Sequence, residues 1–210
     1  MISSMRDGEI AVAMDTHAMG GGSTDEPHSK FWVHPSGAYV LAGTGLAEVV
    51  EPWLRSVAES PPASASSILA TACTTLKERW HTITSSLDQE QKASVFGLHT
   101  TGYVFSFIDH TPLRTSFSSR TNFAAKRYQR QGISWVPLTQ TPPPSVLAEI
   151  DDSDGGLMRL ARHVATECDR NPSTAMHIDG ELCVVRFAPH GVIDCGPLGR
   201  IRPGNLGRAS

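Results

Sequence analysis

No two cysteines in this chain stand at CxxC spacing. The four present, Cys73, Cys168, Cys183 and Cys195, are scattered, which excludes a zinc knuckle or a disulfide framework and leaves thiols that act as small apolar side chains. Long hydrophobic runs are missing too: stretches such as Tyr39 to Ala42 and Leu182 to Val185 fall far below the ~20 residues a membrane helix needs. The opening MISSMRDGE has neither the basic region nor the apolar block of a signal peptide. There is no excess of cations either, because a net charge of −3 with nine histidines gives no footprint for a phosphate backbone. Nucleic acid and membrane are therefore not expected as partners, and the chain reads as cytoplasmic. GxGxxG and P-loop motifs are absent, and Gly20-Gly21-Gly22 lacks the GK[ST] that would make it a phosphate loop. His17, His28 and His34 flank the opening hairpins without HxH or HExxH spacing, so neither a metal nor a cofactor is expected.

What is present suits one folded domain. Hydrophobic residues make up 40% and charged residues 19% of 210 positions, too apolar for disorder and long enough for a continuous core. Residues 1–195 are read as a single domain, and 196–210, rich in Gly, Pro and Arg, as a flexible tail.

Taken in order, Asp7-Gly8 is a two-residue hairpin turn that joins Ile2-Met5 to Glu9-Met14. Both faces of the second strand are apolar, which predicts burial on both sides. A glycine-rich polar loop follows, then a second hairpin, Lys30-His34 against Ala38-Ala42 across Pro35-Ser36-Gly37. Leu46, Val49, Val50, Trp53, Leu54 and Val57 recur at helical spacing, with Pro52 predicting a kink or a late start. A second helix from Ser64 carries Ile68, Ala72, Leu76 and Trp80 on one stripe. Val95-His99 and Tyr103-Ile108 read as a hairpin across Thr101-Gly102, with a further strand at Leu113-Phe117. Asn122-Gln131 reads as a short basic helix ended by Gly132, and the following stretch with four prolines as loop. Leu157-Asp169 is an amphipathic helix, and Leu182-Phe187 with Val192-Ile193 closes the domain. Runs of strands alternating with pairs of helices favour layered α+β packing over a doubly wound parallel sheet.

IAVAMDT, the glycine-containing loop, SKFWVHPSGAYVLAGTG and the helix after it resemble the opening of proteasome β-type subunits and of the bacterial two-component ATP-dependent protease, members of the N-terminal nucleophile hydrolase superfamily. The resemblance covers the first sixty residues and is weak in the middle. It implies a four-layer αββα sandwich, two antiparallel sheets between helix layers, assembling into homo-oligomeric rings. It also implies a peptide or unfolded-protein substrate, with an ATPase unfoldase as a further partner. Carried over by position, Asp15 matches the aspartate at a strand end, Lys30 the lysine beside the nucleophile, and Gly43 the glycine whose N–H forms the oxyanion hole. Ser118 or Ser119 resembles the serine that orders the nucleophile's amine, and Asp169 with Ser173 the distal aspartate and serine. A nearby cation lowers a nucleophile's pKa, and an aspartate holds that cation. Bland alternatives stand beside each: Asp15 as a turn cap, Lys30 as a solvated charge, Gly43 as a helix lead-in, the others as caps and loop hydroxyls.

The start departs from the family. The superfamily nucleophile is an N-terminal threonine, serine or cysteine whose own amine serves as base, whereas this chain opens Met-Ile-Ser-Ser, and a thioether cannot attack a carbonyl. Three readings compete: a mature start other than Met1, trimming that exposes Ser3, or a retained fold without the chemistry. Ser3 lies too near Asp15 by family spacing, which makes the second the weakest.

Overall fold

A computed structural model describes residues 1–16, 30–91, 99–136, 142–170 and 178–202. The chain begins with the expected hairpin, β1 (Ile2–Arg6) and β2 (Glu9–Asp15), turning at Gly8 with φ of +74°. The second hairpin is β3 (Phe31–Val33) and β4 (Tyr39–Thr44). Helices α1 (Ala47–Glu59) and α2 (Ala65–Ser85) follow. Pro52 lies inside α1, so the helix starts before it rather than after it. Ser64 caps α2, its hydroxyl accepting from the Ser67 N–H at 3.4 Å.

Next come β5 (Thr101–Ile108), β6 (Thr111–Ser118), a short 3-10 turn at Ser119–Thr121, β7 (Ala125–Tyr128) and β8 (Gly132–Trp135). A four-residue helix α3 (Pro144–Leu147), the long helix α4 (Asp154–Arg170), and strands β9 (Glu181–Ala188) and β10 (Gly191–Arg200) complete the chain. The strands form two five-stranded antiparallel sheets, ordered β10-β9-β2-β1-β8 and β3-β4-β5-β6-β7.

Three apolar clusters show how the layers stack. Trp53, Leu76 and Trp80 of α1 and α2 pack on Leu41, Val104 and Phe117 of the second sheet. Leu160, Ala161 and Val164 of α4 pack on Ile2, Ala13 and Val184 of the first. Between the sheets, Met5, Ile10 and Val12 meet Val40, Ala42 and Phe105. Alternate residues of each strand thus enter different clusters, as the period of two requires. The result is the α+β sandwich of four layers, αββα.

Several local expectations give way. Thr101-Gly102 is not a turn: both residues lie in β5, and the chain reverses at Asp109-His110, both left-handed with φ of 49° and 64°. Gly102 is small for packing, since a Cβ there would lie 2.8 Å from Leu76 Cδ1 and 3.1 Å from Trp53. Residues 92–98, which held the other half of that predicted hairpin, lie outside the described residues. Asn122–Gln131 is not helical. Asn122 and Phe123 are left-handed, and Ala125–Tyr128 pairs with β6, a charged edge strand rather than a short basic helix. Ile133 to Trp135, read as loop, pair with β1. The strand β10 continues through Gly196 to Arg200, and Ile201 is buried, so the polypeptide is held well past the point where its composition suggested fraying.

Candidate functional site

The site forms where β2 ends and β3 begins. Asp15 closes β2 and is 7% exposed, and the Lys30 Nζ donates to its Oδ2 at 2.8 Å. The two residues are joined through a glycine-rich stretch, so the sheets rather than the intervening sequence bring them together. Beside them lies residue 1. The β1–β2 register sets Ile2 opposite Ala13, which carries Met1 to the level of Met14, next to Asp15. The Met1 α-amine donates to the Val136 carbonyl at 2.9 Å, and the Val136 N–H returns a bond to the Met1 carbonyl at 2.8 Å. The Met1 side chain is buried in the inter-sheet cluster.

Burial drives the α-amine pKa down from 8.0 to about 6; the Asp15 charge opposes that shift and the Lys30 charge adds to it. At neutral pH this amine is largely uncharged and able to accept a proton, while Lys30 supplies a fixed positive charge tethered by Asp15. A base poised near neutrality beside a held cation can take a proton from a neighbouring group and stabilise the anion left behind.

Of the other carried-over residues Gly43 lies beside Lys30, while Ser118, Ser119 and Asp169 lie elsewhere. The Gly43 N–H donates to the Lys30 carbonyl at 3.2 Å, so it is engaged in strand pairing rather than free for an oxyanion. What demands glycine at 43 is α1: a Cβ would lie 1.9 Å from Val50 Cγ1. Ser118 pairs with Thr101, which pairs with Thr44. That places Ser118 three strand spacings, about 14 Å, across the sheet from Lys30's strand. Its hydroxyl caps the 3-10 turn, accepting from the Arg120 N–H at 3.4 Å. The Ser119 hydroxyl accepts from the Thr100 N–H at 3.2 Å. Asp169, 48% exposed at the end of α4, holds Arg202 Nη2 at 2.8 Å and ties the chain after β10 to that helix. Ser173 lies outside the described residues, as do His17 and His28.

The group that orders the α-amine is the backbone carbonyl of Val136, invisible to a search for serine hydroxyls. Among the described residues no cluster of three or more His, Cys, Asp or Glu side chains could hold a metal, and His34 instead bonds the Ser36 hydroxyl at 2.8 Å. No helix among the described residues is long and apolar enough to cross a membrane.

No protein-family model matches the chain. No curated protein matches it in sequence. Solved structures do match in fold. The Anbu (ancestral beta-subunit) protein from Yersinia bercovieri superposes with a TM-score of 0.60 at 11% identity, covering 94% of this chain and 86% of that one. Anbu from Hyphomicrobium sp. strain MC1 gives a TM-score of 0.55 at 12% identity over the same shares. The chain thus has the fold of these proteasome-like proteins.

Proposed function

We propose that this chain is a proteasome-β-like protein of the N-terminal nucleophile class, built to assemble into rings and to hydrolyse peptide amide bonds. The observation that carries the reading is the convergence of Asp15, Lys30 and a buried α-amine, its pKa lowered to about 6, at one point of the sandwich. In this mechanism the uncharged amine takes the proton from a hydroxyl or thiol on its own residue, and Lys30 stabilises the resulting anion as it attacks the amide carbon. The chemistry therefore needs such an atom at position 1.

A second reading follows from Met1 itself. Its side chain packs among Met5, Val12 and Met14, filling the position with an unreactive group. A chain with Met1 in place is a ring-forming scaffold or binding subunit that keeps the cleft without the attacking atom. Fluorogenic peptides and a covalent probe for amino-terminal nucleophiles, with the first residue fixed by intact-mass spectrometry, separate the two. Turnover and labelling support the hydrolase; their absence from a chain verified to carry a hydroxyl or thiol at its first residue would sink it.

A further inference from the structure

Four hairpin turns gather at the end of the sandwich opposite Asp15 and Lys30: Asp7-Gly8 between β1 and β2, Ser36-Gly37 between β3 and β4, Asp109-His110 between β5 and β6, and Pro189-His190 between β9 and β10. Two of them meet backbone to backbone, since a Cβ at Gly37 would lie 2.6 Å from the Gly191 Cα. Asp7, Asp109, His110, Pro189 and His190 bound an open concavity of about 580 Å³. Ile108, Val192 and Ile193 flank the same turns and are 43% to 53% exposed. Asp7 accepts a hydrogen bond from Gln131, and among the described residues neither Asp7 nor Asp109 forms an ion pair. Unneutralised carboxylates beside bare apolar side chains, on turns braced against one another, make a surface suited to contact.

The complement to that surface is on the same chain. From His110 to Ala148 the sequence contains no aspartate or glutamate but carries five lysines and arginines, in a chain whose net charge is −3. Two of them, Lys126 and Arg127, stand exposed on β7, the edge of the second sheet. Neither forms an ion pair among the described residues. Charges on an edge strand bar indiscriminate strand pairing and leave the edge open to a surface of opposite sign. Lys126 and Arg127 lie opposite Ser116 and Thr115, at least five residues, or about 17 Å, along β6 from the Asp109-His110 turn. One chain therefore does not bring these cations to its own carboxylates, but a second copy can.

We propose that the turn end of one copy receives the β7 edge of another, with Lys126 and Arg127 directed to Asp7 and Asp109, and with Ile108, Val192 and Ile193 covered by the incoming chain. The two surfaces are different, so the contact is head-to-tail, and its repetition closes a ring or extends a filament. A second copy is the occupant that the charges favour, because one sequence carries both an acidic turn end and an acid-free basic edge. The contact deepens the assembly part of the proposed function and rests on it; hydrolysis has no part in it.

The test is sedimentation velocity of the full chain over a concentration series. One variant joins Asp7→Asn to Asp109→Asn, which suits an Asx-Gly hairpin turn and a left-handed residue and so leaves the fold intact. The other joins Lys126→Gln to Arg127→Gln at exposed sites. Wild-type association is expected to weaken about tenfold between about 0.05 M and about 0.5 M salt, and each double variant to weaken it about tenfold at low salt. An equimolar mixture of the two variants is expected to recover the wild-type affinity yet stop at a one-to-one pair, because each chain supplies the surface the other lacks. A mixture that associates no more tightly than the separate variants would overturn the proposal. Assemblies that survive both pairs of substitutions unchanged would overturn it and leave the ring reading standing. Salt-sensitive open filaments that follow the mixing rule would keep the contact and sink the ring. A wild-type chain that stays monomeric at low salt would overturn both, even if a Lys-Arg peptide bound to its turn end.

Discussion

Replacing Lys30 by Met should destabilise this protein more than replacing its partner Asp15 by Asn. Asp15 is 7% exposed and Lys30 26%, with 2.8 Å between the charged atoms. Losing the lysine strands a carboxylate that has little access to water; losing the carboxylate leaves an amine that can turn toward solvent. Breaking a fully buried pair costs about 3–5 kcal/mol. Because a quarter of Lys30 is open to solvent, that figure is discounted to about 2 kcal/mol for Lys30→Met, with about 1 kcal/mol for Asp15→Asn. The double variant should cost less than the sum, by a coupling of about 1 kcal/mol. Urea unfolding at pH 7 measures all three, with an unchanged m-value required for the comparison. A Lys30→Met chain within about 0.5 kcal/mol of wild type, or an Asp15→Asn chain that loses more, would refute the reasoning.

Three further outcomes follow from the same geometry. Gly43→Ala should cost about 2–3 kcal/mol in urea unfolding, because its Cβ would lie 1.9 Å from Val50 Cγ1, and Val50→Ala in the same chain should restore much of that. Stability should rise between pH 6 and 8 by up to about 3 kcal/mol through the α-amine, since its pKa falls from 8.0 to about 6 on folding and the unfolded chain holds the proton more tightly in that window. Acetylating the amine should remove this slope, measured as the difference between the two forms. Cys195, exposed on β10, should be the first of the described thiols to react with a disulfide reagent. Its rate should still be climbing above pH 9, because burial and Asp194 raise its pKa.

The layered architecture was legible because its signals are local. Asp7-Gly8 fixes a hairpin, the apolar alternation of Ile10, Val12 and Met14 marks a strand buried on both faces, and Ser64 announces a helix whose stripe holds Ile68, Ala72, Leu76 and Trp80. The pairing of Lys30 with Asp15 was reachable only through family resemblance, as no local rule joins residues across a glycine-rich loop. The misreadings have one cause, that tertiary packing assigns a residue a use its type does not reveal. Gly102 looks like a turn and is a gap for Leu76 and Trp53. Lys126 and Arg127 look helical and guard a sheet edge. Val136 offers only its carbonyl to the site, and a backbone atom leaves no mark in the sequence.

The central claim is that residue 1 sits buried beside Asp15 and Lys30. An NMR titration of protein labelled with carbon-13 methionine, its first residue established as Met1 by intact mass, tests that directly. The account predicts that the Met1 α-amine titrates with a midpoint of about 6. A midpoint near 8, the value of an exposed amino terminus, would contradict it.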